Sequence, residues 1–183
     1  MSHQGEHFHG SDLEKVEDIY GIAKDKVTNF AANVNPLGIS PKLRARLSDQ
    51  IDVISSYPDR EYTNLRKSIA AYSNTPMDNI IVGNGSTELI SLLIQIKKTK
   101  KACIIGPTYS EYEREVSIGG GSSCYFPLDC DGNFKLRINE LGRFLTSDFD
   151  LLVICNPNNP TSTAITIPDL RKILDICKQK DIF

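Results

Sequence analysis

No apolar run in this chain approaches the length of a bilayer span, and its amino terminus, MSHQGEHFHG, lacks the apolar stretch of a signal peptide. Both absences argue against a membrane or secreted protein and leave the cytoplasm as the expected compartment. Charge of one sign is not in excess either: 21 Lys and Arg stand against 23 Asp and Glu, interspersed, for a net charge of −2. A basic face for nucleic acid or an anionic membrane is therefore not expected, and the partner should be a small molecule. The five cysteines (Cys103, Cys124, Cys130, Cys155, Cys177) form no CxxC pair and are odd in number. They read as reduced thiols, mostly packed, rather than disulfides or metal ligands. His3, His7 and His9 have neither zinc-site spacing nor a helical register, so no metal is expected. Internal repeats and low-complexity tracts are missing too.

What is present is a chain of 183 residues with 40% hydrophobic content, enough for a domain with a core. Ser11-Asp12-Leu13-Glu14 has capping-box spacing and predicts a short helix with Leu13, Val16, Ile19 and Ala23 on one face. Ser40-Pro41 predicts another, with Leu43, Leu47 and Ile51 aligned, and Leu65, Ile69 and Tyr72 mark a third. From residue 79 the pattern alternates. Strands are predicted at 79–82, 101–105, 124–128 and 149–155, and helices at 86–97, 108–117, 138–145 and 168–180. Alternation of this kind means crossover units, so the expected fold class is α/β with three layers and a mostly parallel sheet. Residues 1–78 read as an amino-terminal arm and small-domain or interface segment, and 79–183 as the first part of a large α/β domain. Ile182-Phe183 reads as the first step of a further strand, so the chain is expected to be part of a longer one.

Three strand ends carry possible chemistry. VGNGSTELI (82–90) is a glycine turn entering a helix, where free N–H groups and the helix dipole favour an anion such as phosphate. Gly83 and Gly85 allow the turn, and Ser86 and Thr87 add hydroxyls. The lysine of a Walker loop and the third glycine of a dinucleotide fingerprint are both absent, so alone this could be only a capped turn. GPTYSEYE (106–113) puts Tyr109 in the first helical turn after a strand, where it can stack on a flat ligand or simply pack. CNPNNPTS (155–162) adds a stiff, amide-rich turn after a third strand. Their convergence on strand ends points to one ligand site.

With YPDREYTNLRKSIA (57–70) and FAANVNPLG (30–38), these motifs stand in the order found in fold-type I, pyridoxal-phosphate-dependent enzymes of the class I/II aminotransferase superfamily. The chain resembles their amino-terminal half, within the histidinol-phosphate aminotransferase and threonine-phosphate decarboxylase branch, and HFHGSDLEKV tilts the reading toward the decarboxylase. The resemblance implies pyridoxal 5'-phosphate as cofactor. It implies that Gly85, Ser86 and Thr87 hold the cofactor phosphate, that Tyr109 stacks on the ring, and that Asn159 bonds its phenolic oxygen. It further implies that Tyr57 reaches the neighbouring subunit's cofactor in a homodimer, that Asn35 meets the substrate carboxylate, and that His9 meets a substrate phosphate. Ser162 departs from the usual glycine, which should strain the turn.

The same resemblance calls for a lysine to carry the cofactor, an aspartate at the pyridine nitrogen and an arginine for the substrate. None is matched in these residues, so the 183-residue chain by itself is expected to be inactive. The expected function is a cofactor-dependent enzyme acting on a small amino acid, with phosphate-bearing ones as the candidates: a threonine-phosphate decarboxylase, alternatively a histidinol-phosphate aminotransferase. Two further readings compete, a non-catalytic remnant and a nucleotide-phosphate-binding α/β domain.

Overall fold

The computed structural model describes residues 12–30 and 34–183. His9, Ser11 and the other histidines lie outside them. The chain divides into two compact units, Met1–Leu65 and Arg66–Phe183.

In the first unit, α1 (Leu13–Tyr20) is capped by Asp12, whose carboxylate accepts from the Lys15 N–H at 3.2 Å. Asp12 thus takes the capping role expected of Ser11, one residue further along. α2 (Pro41–Asp49) starts as the sequence predicts: the Ser40 hydroxyl accepts from Leu43 N–H at 3.2 Å, with proline in the first turn. No residue described in this unit is buried.

The second unit holds most of α3 (Thr63–Ser73), then α4 (Gly85–Lys97), β1 (Lys101–Gly106), α5 (Glu111–Ile118), β2 (Ser122–Pro127), α6 (Ile138–Phe144), β3 (Leu151–Val153) and α7 (Ile167–Lys180). The strands form a parallel sheet in the order β2-β1-β3. Cys103 lies opposite Cys124 on one side and Leu152 on the other. Alternation along β1 builds a core on each face. Cys103 and Ile105 cluster with Leu141 of α6, Leu145 just after it, and Ile173 and Cys177 of α7. Ala102 and Ile104 meet Ile94 of α4 and Val116 of α5. The result is the expected three-layer α/β arrangement. After α7, Phe183 N–H donates to Asp150 O at 3.1 Å and Leu152 N–H donates to Phe183 O at 2.8 Å, which is parallel pairing beside β3.

One predicted strand does not form. Residues 80–83 belong to no ladder, although Ile80 has extended torsions. The backbone here is held by a side chain: Arg66 Nε donates to Ile80 O at 3.1 Å and its Nη2 donates to Met77 O at 3.0 Å. The strand expected at 149–155 is also shorter, because from Ile154 the chain turns into the proline loop.

Candidate functional site

The sheet order has a functional consequence. From β1 the chain crosses by α5 on one face to β2, and from β3 it continues by α7 on the other face. The carboxyl ends of β1 and β3 therefore flank a point where the winding reverses, the place where open α/β sheets leave a crevice. Two of the loops singled out in the sequence, 106–110 and 155–162, leave the sheet at these ends.

Hydrogen bonds join those loops. Thr108 Oγ1 donates to Asn158 Oδ1 at 2.8 Å, and Asn158 Nδ2 donates to Pro107 O at 2.9 Å and to Thr161 Oγ1 at 2.7 Å. Tyr109 lies just ahead of α5 rather than within it, because the helix begins at Glu111 after Ser110. Its ring meets Tyr112 edge-on, with centroids 5.6 Å apart and planes at 86°. Tyr112 is itself fixed: burial first, then a hydrogen bond with the Cys155 thiol, pushes its phenol up to about 12. It therefore stays neutral, while Cys155 Sγ donates to Pro157 O at 3.4 Å. Asn159, the residue expected to meet the ligand, is exposed beside the buried Asn158.

The third loop lies at the start of α4, whose Ile94 packs with Val116 of α5 against the same face of β1. Gly85 has φ of +83° with nothing within 4 Å of where a Cβ would stand, so the backbone needs glycine and the space beside it is open. At Gly83 the space is taken instead: a Cβ there would stand 2.9 Å from the ends of the Glu88 and Leu89 side chains, which would have to move aside. The Asn84 side chain does not cap the helix; instead the Glu88 carboxylate accepts from Asn84 N–H in a short contact. Ser86 is exposed and Thr87 half-buried at this helix start. An anion is favoured here by the first-turn N–H groups.

Asn35 and Tyr57 belong to the other unit. Asn35 is tied into its own turn: Oδ1 accepts from Leu37 N–H at 3.0 Å and Nδ2 donates to Gly38 O at 3.0 Å. Tyr57 is 83% exposed. A mostly apolar cavity of about 340 Å³ opens on the α6 and α7 face. Asn158 and Cys155 help to line it, whereas Gly85, Tyr109 and Asn159 do not, so it is separate from the surface those three would offer a ligand. Sequence reading missed Asn158, because nothing in NPNNPTS tells the inward asparagine from the outward one.

Among curated proteins, the chain is similar to threonine-phosphate decarboxylase from Salmonella typhimurium, with 33% identity over 174 residues, 95% of this chain and 48% of that protein. It is also similar to histidinol-phosphate aminotransferase from Methanococcus maripaludis, with 30% identity over 169 residues, 91% of this chain and 46% of that protein. Among solved structures, the histidinol-phosphate aminotransferase from Clostridium acetobutylicum matches with a TM-score of 0.70 and 32% identity, covering 84% of this chain and 45% of that one. The chain thus spans about half the length of the curated relatives it matches. With residues 25–183 matching the family model of aminotransferase class I and II, this chain belongs to that family.

Proposed function

We propose that this chain supplies the phosphate-binding and ring-positioning part of a pyridoxal 5'-phosphate site, in an enzyme that acts on a small amino acid or amine carrying a phosphate ester. The observation that carries this reading is the hydrogen-bonded union of the loop bearing Tyr109 with the loop bearing Asn159 at the winding reversal of the sheet. The residues fit such a group. Gly85 keeps open space at a helix start, where the N–H groups of Ser86 and Thr87 suit a phosphate. Tyr109 is a ring held at a fixed angle by Tyr112, and Asn159 offers an exposed amide.

When bound, pyridoxal phosphate supplies the electron sink for breaking bonds at the amino acid's α-carbon. This chain's share is placement. The amides at 86 and 87 hold the phosphate, the Tyr109 ring limits rotation of the bound plane, and the Asn159 amide donates to an oxygen on it. Lys97 and Lys98 close α4, and Lys178 and Lys180 close α7, so we assign no lysine here to carry the cofactor. Turnover by the 183 residues alone is not expected. The phosphate-bearing substrate is supported by the names of both kinds of relative, a decarboxylase of threonine phosphate and an aminotransferase of histidinol phosphate. Of these we take the decarboxylase as the first reading on the HFHGSDLEKV stretch, and the aminotransferase as the second, supported by the likeness to the Clostridium structure. We further assign residues 1–78 to an arm that meets a second copy, with Tyr57 reaching that copy's site, Asn35 placed for the substrate carboxylate and His9 for its phosphate. Residues 79–183 form the first part of the cofactor domain, and the enzyme works in the cytoplasm.

Titration with pyridoxal 5'-phosphate, followed by amide NMR shifts, tests the reading. Shifts should concentrate at Gly85, Ser86, Thr87, Tyr109 and Asn159. If a nucleotide moves those amides and pyridoxal phosphate does not, the proposal is wrong.

A further inference from the structure

We infer that Asn158, not only its exposed neighbour Asn159, sets the cofactor-binding geometry: it is a positioning residue that fixes Tyr109 relative to Asn159. This inference rests on the proposed function and adds to it a second determinant of the same site.

Every hydrogen-bonding group of Asn158 that the two loops need is engaged. Its backbone N–H donates to Thr163 O at 2.8 Å, and its carbonyl accepts from Ser162 N–H at 2.7 Å, which fixes the residue on its own loop. Its side chain then reaches across 50 residues of sequence to accept from Thr108 Oγ1 and to donate to Pro107 O, while the same amide nitrogen also donates to Thr161 Oγ1. Thr161 Oγ1 is in turn 2.8 Å from Thr163 Oγ1, so the network closes on itself. Asn158 is only 8% exposed, and hydrogen bonds shielded from water in this way hold their geometry more stiffly than exposed ones.

The chemistry selects the residue type. One acceptor and two donors on a short side chain are what a carboxamide offers. A carboxylate would keep the bond from Thr108, lose both donors and face the Pro107 carbonyl with a charge. An aliphatic side chain would leave Pro107 O, Thr108 Oγ1 and Thr161 Oγ1 without this partner. Thr108 adjoins Tyr109, and Asn158 adjoins Asn159, so the Thr108–Asn158 bond joins the neighbours of two proposed ligand contacts. Loosening it separates the two contacts without deleting either.

The test compares Thr108→Val, Thr108→Ser and Asn158→Asp with the unaltered chain, reading the dissociation constant for pyridoxal 5'-phosphate by amide shifts and the melting temperature in parallel. Thr108→Val keeps the side-chain shape and removes the hydroxyl. It should weaken binding by about tenfold while lowering the melting temperature by about 2–4 °C. Thr108→Ser, which restores the hydroxyl, should recover most of the affinity. Asn158→Asp should weaken binding further than Thr108→Val, and if that variant does not fold, the Thr108 pair still decides. A fall in melting temperature with unchanged affinity would mean that Asn158 is structural only and would overturn the inference while leaving the proposed function standing. Failure of the unaltered chain to bind pyridoxal phosphate would remove both.

Discussion

The two units use the same kind of apolar pattern and reach opposite ends. In the Met1–Leu65 unit, α2 places Leu43 and Leu47 along one face, yet they are 48% and 56% exposed, and Phe30 and Leu37 exceed 90%. In the Arg66–Phe183 unit, β1 places Ala102, Cys103 and Ile104 at 0% exposure. Helical spacing of apolar residues creates a face, but a face stabilises only when a second layer covers it. Strand β1 has a layer on each side; α2 has none within the described residues of its unit. The exposed apolar side chains of the arm are what an interface segment would present, which agrees with the role proposed for it.

The contrast can be broken most directly by truncating one side chain in each unit. Ile104→Ala removes a fully buried branched side chain between α4 and α5 and should cost about 2–5 kcal/mol, read from urea unfolding. Leu47→Ala, on the open face of α2, should stay within about 0.5 kcal/mol. A large cost for Leu47→Ala would show that the arm is covered in solution, and a dependence of that cost on protein concentration would identify a second copy as the cover.

How much of this was legible in the sequence follows the same division. Alternation gave the order of helices and strands from α4 onward, because each element there has covered faces that demand a period. Two of the three motifs, 106–113 and 155–162, do follow strands, β1 and β3, and were legible for the same reason: a run of apolar residues ending in Gly or Pro marks where a strand stops. The 79–82 strand failed because apolar character cannot reveal whether a neighbour strand is available, and Arg66 holds that backbone instead. Asn158 was illegible because burial separates it from Asn159, and burial is a property of the fold. Ser162, read as a departure that should strain the turn, adopts φ of +58°, the left-handed region where a Cβ is crowded. Relief of about 1–2 kcal/mol of crowding, less the extra chain entropy of glycine, gives Ser162→Gly an expected gain of about 0.5 kcal/mol. A thermal melt would register it, and a loss of stability instead would mean that the serine makes a contact worth more than the strain.

The smallest effect concerns two acids, one in each unit. Asp148 accepts hydrogen bonds from Lys101 Nζ and Thr146 Oγ1, and these, the lysine first, lower its pKa to about 2 from the usual 3.8. Asp59 in the arm is also lowered, but by N–H groups: Thr63 N–H donates to it at 2.7 Å and Glu61 N–H at 3.0 Å. For both, the folded form binds its proton less readily than the unfolded chain does. Their contribution to stability is therefore present above about pH 4 and lost as pH falls through the folded value, near 2 for Asp148. The partners differ in charge, and both acids are exposed, so salt should distinguish them. Carboxyl NMR titrations at low salt and at roughly 1 M salt, where the screening length falls to about 3 Å, should move the Asp148 midpoint upward and leave Asp59 nearly in place. Equal movement of the two midpoints would mean that the lysine's charge contributes little and that Asp148, like Asp59, is held by hydrogen bonds alone.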